Sequence, residues 1–276
     1  MVAEELNKKG VDIMSYETII YEKAEGIATI TFNRPEVMNA ANFQMADEIW
    51  GAVEDAKNDA EVRVLIFTGA GKAFHSGDDV KAIWLAPDRE KRFKEMKMGQ
   101  LMGTWREHYF HEFPKPTIAA VNGVALGSGL DFAVSCDVRI ASENARLGYL
   151  FVRRGVIGDV LGPAFLPHIL GLSRALEFML TGEMISAAEA DRIGLVSRVV
   201  PPEQLMDEAK ALARKMIKAA PLAQQAIKRS VYKSILDPYG LQESHPAMMW
   251  SMFDTEDFME GAKAFAEKRD PNFKGK

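Results

Sequence analysis

Val124-Ala125-Leu126-Gly127-Ser128-Gly129-Leu130-Asp131 follows directly on Thr117-Ile118-Ala119-Ala120-Val121-Asn122-Gly123. The order is a short apolar strand, a glycine-rich turn and an apolar segment, Leu130 to Val134, that reads as a helix start. Small residues at such a junction let a ligand approach the backbone N–H groups of the first helical turn. A second turn, Phe74-His75-Ser76-Gly77-Asp78-Asp79, lies earlier in the chain and also follows an apolar strand. Each could be a tight turn and nothing more. Two of them together can offer two N–H donors to one oxyanion. Loss of one donor of that kind costs about 2.7–4 kcal/mol of transition-state stabilisation.

Outward from these turns, Ile27 to Phe32 reads as a strand by its β-branched content, closed by Asn33-Arg34-Pro35. Residues 41–57 read as a helix with Met45, Ile49, Val53 and Ala56 near one face. Val62 to Phe67 is a second strand, whose Thr68-Gly69-Ala70-Gly71 turn leads to the Ser76 segment. Further strands are expected over 117–121, 137–141 and 196–200, with another opening at Leu147. Strands alternate with helical segments, which makes the fold class α/β. After Pro201-Pro202 the pattern turns helical, over 203–219, 221–236 and 255–267. The expected organisation is a loose tail over 1–14, an α/β core over 15–204 and a helical region over 205–276. Residues 82–112, polar and Met-rich, read as an excursion of helix and loop and as a candidate lid.

Composition narrows the function classes. The 276 residues carry 34 Lys and Arg against 39 Asp and Glu, a net charge of -5 without a long basic run, which disfavours nucleic acid as partner. No run of 18 apolar residues exists, so no membrane span is expected. Cys136 is the only cysteine and sits in an apolar stretch. That rules out internal disulfides and a cysteine metal cluster and suits a reducing, cytoplasmic compartment. The histidines gather no further ligands around them, so no metal site is expected.

The chain resembles the crotonase superfamily, the enoyl-CoA hydratases and isomerases, over nearly its whole length. The matching pieces run in order: Asn33-Arg34-Pro35 with Asn39-Ala40; Lys72 to Val80; Lys115-Pro116 through the glycine turn at 127–129; Cys136-Asp137; Leu180-Thr181-Gly182; Ala187 to Ala190; Gly194-Leu195-Val196; and Phe265 to Arg269. The resemblance implies a spiral of strand-strand-helix units with a C-terminal helical trimerisation region, assembled as a homotrimer or as a hexamer of paired trimers. It implies an acyl-CoA thioester as substrate, no tightly bound cofactor, and coenzyme A present only as part of the substrate. It further implies an oxyanion hole from the backbone N–H groups of Ser76 and Ser128. The coenzyme A candidates are Val37 and Ala40, near the adenine, and Lys72, Lys268 and Lys274, near the phosphates.

The chain departs from the hydratase pattern at one of two catalytic glutamate positions. The first falls on Asp131, a carboxylate one methylene shorter; the second falls on Phe151, which cannot transfer a proton. Asp159, eight residues later, matches the catalytic aspartate of dienoyl-CoA isomerases, where it takes a proton, and of 4-chlorobenzoyl-CoA dehalogenases, where it is the nucleophile. An aspartate before an apolar helix is also an ordinary N-cap. His75, Trp84, Tyr149 and Phe151 are candidates to line the acyl pocket, and each is equally at home in a core. The expected reaction is proton transfer at a thioester-activated carbon, as hydration or double-bond isomerisation, with Asp159 as base and Asp131 as its acid or water-orienting partner. The alternatives are hydrolysis or dehalogenation with Asp159 as nucleophile, and acyl-CoA binding without catalysis.

Overall fold

A computed structural model describes residues 12–14, 16–88, 90, 110, 112–158 and 161–276. Asp159 and most of the expected lid segment lie outside the described residues. The strands are β1 (Asp12–Met14), β2 (Ile19–Ala24), β3 (Ile27–Phe32), β4 (Val64–Gly69), β5 (Ala73–His75), β6 (Thr117–Val121), β7 (Val124–Leu126), β8 (Val138–Ser142), β9 (Arg146–Gly148), β10 (Met184–Ser186) and β11 (Arg198–Val200). They form a seven-stranded sheet in the order β1-β2-β3-β4-β6-β8-β11 and a four-stranded sheet in the order β10-β9-β7-β5.

Successive strand pairs split between the two sheets. In β4-β5, β6-β7 and β8-β9 the first strand joins the large sheet and the second joins the small one. A helix follows the second strand before the chain returns to the large sheet one strand further along; after β9 the chain first adds β10 to the small sheet and then ends the large one with β11. Repetition of that step gives the strand-strand-helix spiral. It also stacks the ends of β5 and β7 side by side in parallel, Ala73 against Val124 and His75 against Ala125. The two glycine turns follow these strands and emerge as neighbours.

The helices are α1 (Phe43–Asn58), α2 (Val80–Ile83), α3 (Ser128–Ser135), α4 (Leu161–Leu170), α5 (Leu172–Thr181), α6 (Ala187–Arg192), α7 (Leu205–Ile217), α8 (Pro221–Leu236), α9 (Pro238–Phe253) and α10 (Glu256–Glu267). Asn42 caps α1, its side chain accepting from the Met45 N–H, and the helix buries Met45, Ile49, Ala52, Val53 and Ala56. Every residue of α3 is buried. Phe132 of this helix meets Phe32, Phe67 and Phe110 edge to face, its ring centroid 4.8 Å from Phe67 and 5.1 Å from Phe32. Such packing adds to what burial alone supplies.

The structure adds detail to the sequence reading at three points. The loose tail ends earlier than residue 14, because Asp12–Met14 pairs antiparallel with residues 21–23 of β2. At the start of the helical region, Leu205, Ala209 and Ala213 of α7 pack beneath Ile27, Val64, Ile66, Ile118 and Ile140 of the large sheet. The helical region also contains α9, which the sequence pattern did not display. Among the described residues no helix is long and apolar enough to cross a membrane.

Candidate active site

The first turn is held by an asparagine. Asn39, fully buried at φ 55°, donates from its side-chain amide to the carbonyls of Ala70 at 3.0 Å, Ala73 at 2.8 Å and Phe74 at 3.2 Å. Arg34 adds a second tie, from its guanidinium to the Ala40 carbonyl and, at 3.1 Å, to the Asp79 carboxylate. These bonds fasten the 37–40 segment to the turn, so Val37 and Ala40 do lie beside Ser76. Arg34 is occupied as a structural clamp.

Ser76 does not stand as expected. Its N–H donates to the Met38 carbonyl at 3.1 Å, which directs it away from a ligand shared with Ser128. The reason lies in Gly77, whose φ of +98° interrupts the alternation of the extended chain. Beyond it, Asp78 forms a parallel bridge with Ala41: Ala41 donates to the Gly77 carbonyl and Asp79 donates to the Ala41 carbonyl, both within 2.9 Å. In a bridge of this pattern the N–H of the paired residue, Asp78, faces the opposite edge.

That opposite edge meets the second turn. A Cβ on Gly77 would stand 2.9 Å from the Leu126 carbonyl and 3.7 Å from the Ser128 nitrogen. A Cβ on Gly129 would overlap the His75 carbonyl. The turns are pressed together backbone to backbone, and glycine is required on both sides. Ser128 is the first residue of α3, so its N–H has no intrahelical acceptor. The side chains join the turns as well: Ser128 Oγ donates to Asp78 Oδ1 at 2.6 Å, and Trp84 Nε1 donates to Asp78 Oδ2 at 3.3 Å.

Asp131 lies in the first turn of α3 with no exposed surface. A carboxylate there is favoured by the helix N-terminus. It faces Gly162 of α4: a Cβ at that glycine would stand 2.5 Å from Asp131 Oδ1, 2.6 Å from Tyr149 Cε2 and 3.0 Å from Tyr149 Oη. The Tyr149 and Phe151 rings meet edge to face at 4.8 Å, and Phe151 Cζ comes within 4.0 Å of a Cβ placed on Gly127. Tyr149 and Phe151 therefore form an aromatic wall running from the Ser128 turn to the Asp131 carboxylate.

The remaining candidates separate. His75 is buried, its ring edge-to-face with Phe32 at 5.4 Å, and its Nδ1 accepts the Gly77 N–H at 3.1 Å. The neutral ring then carries its proton on Nε2. Trp84, at 40% exposure, stands at the rim. Lys72 is exposed at the start of β5, where its carbonyl accepts from Val124. Lys268 and Lys274 are exposed on the C-terminal arm, where the Lys274 N–H donates to Asp257; within one chain their contacts are to that arm. No group of three His, Cys, Asp or Glu side chains among the described residues could hold a metal.

Sequence reasoning gave Asp78 a part in orienting the turn and not that of an N–H donor, because the direction of its N–H depends on the backbone rotation at Gly77. It overlooked the glycine at 162, which reads as an ordinary helical residue until its neighbour is known to be a carboxylate.

Comparison with known proteins fits this arrangement. Residues 22–276 match the family model described as enoyl-CoA hydratase/isomerase. A probable enoyl-CoA hydratase of Mycobacterium bovis is 38% identical over 264 residues, 94% of this chain and 99% of that protein. The (E)-benzylidenesuccinyl-CoA hydratase of Thauera aromatica is 40% identical over 273 residues, 93% of this chain and 99% of that protein. The crystal structure of an enoyl-CoA hydratase/isomerase from Mycobacterium paratuberculosis superposes with a TM-score of 0.85 at 32% identity, covering 95% of this chain and 100% of that one.

Proposed function

Because the chain belongs to the enoyl-CoA hydratase/isomerase family, we propose that it moves a proton at a carbon activated by a coenzyme A thioester, adding water to an enoyl group or shifting its double bond. The observation that carries this reading is the meeting of the two turns beside an enclosed carboxylate. The Ser128 N–H and the Asp78 N–H hold the thioester oxygen as it gains negative charge, where preorganised donors act most strongly. Asp131, one helical turn deeper, handles one proton. Phe151 supplies none, and the resemblance to the isomerase and dehalogenase branches gives the second carboxylate to Asp159.

In hydration the two carboxyls share the work. One takes a proton from the water whose oxygen bonds to the β carbon, and the other gives a proton to the α carbon of the enolate. In isomerisation one carboxylate removes a proton from one carbon and the other carboxyl delivers a solvent-exchangeable proton two carbons away, and the thioester stays intact. The aromatic wall of Tyr149 and Phe151 suits a conjugated or aryl-bearing acyl group, in keeping with the benzylidene group in the Thauera relative's name. Coenzyme A is part of the substrate, seated along the 37–40 segment with Lys72 at its edge. The buried Cys136 thiol, pushed up by burial and so chemically quiet, fits a reducing, cytoplasmic setting.

The test is turnover of a panel of alkyl and aryl enoyl-CoA and dienoyl-CoA thioesters by the wild type, Asp131→Asn and Asp159→Asn. Both variants should lose about 100-fold or more in kcat, in line with general acid–base contributions. Wild-type activity retained by both would remove proton transfer by these carboxyls from the mechanism. Release of free coenzyme A would point instead to hydrolysis with Asp159 as nucleophile.

A further inference from the structure

Asp78 and Asp79 are neighbours in the first turn, and their carboxylates go to different supports. Asp79 reaches back. It meets the Arg34 guanidinium at 3.1 Å and accepts the Ala82 N–H at 3.1 Å, which ties the turn to the 34–40 segment and caps α2. Asp78 reaches across to the second turn. Its Oδ1 accepts from Ser128 Oγ at 2.6 Å, the length of a charge-assisted bond, and its Oδ2 accepts from Trp84 Nε1 at 3.3 Å. The Ser128 hydroxyl passes over Gly77: a Cβ there would stand 3.6 Å from Ser128 Oγ and 3.7 Å from the Ser128 nitrogen. Ser128 is 3% exposed, so its bond lies where water competes little. The two residues joined in this way are the two whose N–H groups face the thioester oxygen. A carboxylate beside an oxygen that gains negative charge opposes it, so the placement of Asp78 requires a role other than attraction.

We infer that the side chains of Asp78 and Ser128 are a positioning pair, a brace that sets the spacing and direction of the two N–H donors, with Trp84 holding the far carboxylate oxygen. The inference rests on the reading of those N–H groups as oxyanion donors. The brace links the two donor residues a second time, side chain to side chain, across the same junction where their backbones meet. Neither peptide can turn without stretching the 2.6 Å bond. Preorganisation of this kind makes donors effective, because no reorientation is left for the moment when charge develops.

Ser128→Ala and Asp78→Ala test this, since each removes the bond and leaves both N–H groups in the chain. The probes are butanoyl-CoA and phenylpropanoyl-CoA, saturated thioesters with no double bond to hydrate or shift, isotope-labelled at the carbonyl and read by difference infrared spectroscopy. The wild type should draw the carbonyl band below its position in the free thioester, and both variants should give back much of that displacement. On any enoyl-CoA the wild type converts, each should lose about tenfold in kcat, less than the about 100-fold or more that follows loss of a whole donor, with KM within about threefold. The double variant should lose no more than either single one. Asp78→Asn keeps an acceptor for the Ser128 hydroxyl and should hold the wild-type band, with kcat within about threefold. Bands in both alanine variants that coincide with the wild type would overturn the proposal whatever happens to stability, because a bond that only supports the fold leaves the donors in place. Additive losses in the double variant would overturn it as well. A wild-type band at the free-thioester position would instead remove the oxyanion hole itself, and the brace with it, which separates failure of that reading from failure of the pair.

Discussion

Gly129 shows how much of the site depends on a missing atom. Its Cα faces the His75 carbonyl, a backbone group that cannot swing aside, and this approach brings the Ser128 nitrogen to the Gly77–Asp78 peptide. Gly129→Ala should destabilise the protein by about 1–3 kcal/mol, the usual cost of overpacking, as read from urea denaturation. It should also depress turnover, because relief of the clash separates the donors. A denaturation midpoint and kcat both unchanged would mean that the turns are not in register through this contact. Gly129 was legible in the sequence as part of a glycine-rich turn. The direction of the Ser76 and Asp78 N–H groups was not, since a single positive φ at Gly77 decides it and glycine marks freedom without marking its sense.

Among the elements, α8 is attached to the core by charge as much as by packing. Asp137, following Cys136 at the end of α3, accepts from the Thr117 N–H at 2.7 Å, Lys228 Nζ at 2.8 Å and the Tyr232 hydroxyl at 2.9 Å. Burial, and then the neighbouring Asp137 charge, pushes the Tyr232 phenol above its ordinary value of 10.0. Burial and the bond to Asp55 do the same to Tyr21 on β2. The folded protein keeps these protons where the unfolded chain releases them, so their contribution is complete below pH 10 and is lost as pH rises beyond it. Burial lowers Lys228 below its ordinary 10.5, which acts in the opposite sense but only beneath that value. Above about pH 10.5 stability should fall by about 1.4 kcal/mol per pH unit for each phenol. Denaturant titrations at stepped pH should show a shallower fall in Tyr232→Phe; identical slopes would contradict the account.

The helices with an apolar stripe, α1, α7 and α10, could be read from periodicity, and α8 matches its expected bounds of 221–236. Helix α9 could not. It contains Pro246, buries no residue and shows no consistent apolar face, so beyond the Asp237 cap and Pro238 at its start nothing in its pattern marks it as a helix. The short strands β5, β7 and β10 have three residues each and exist through pairing with distant strands, which no local pattern announces.

At the scale of the whole molecule, the C-terminal arm leaves large apolar side chains in water: Ile227 at 64% exposure on α8, Trp250 at 65% on α9 and Phe265 at 88% on α10. Exposed apolar side chains of this size are what an interaction surface presents, and the assembly expected from the resemblance would cover them with a second and third copy of the chain. Light scattering should return the mass of a trimer or of a hexamer. A monomer that stays monodisperse at micromolar concentration would contradict that assembly. The spiral and the meeting of its turns were legible from the order of the motifs. An assembly is expected only from the resemblance, since it depends on a surface that a single chain does not complete.

The central claim is proton transfer at a thioester-activated carbon, and turnover in D2O tests it most directly. The wild type is incubated with the enoyl-CoA panel and the products are read by mass spectrometry and proton NMR. The account predicts an intact thioester carrying one non-exchangeable deuterium, at the α carbon for hydration or at the carbon that receives the proton for isomerisation, with the label lost in Asp131→Asn. Free coenzyme A with an unlabelled acyl product would contradict it.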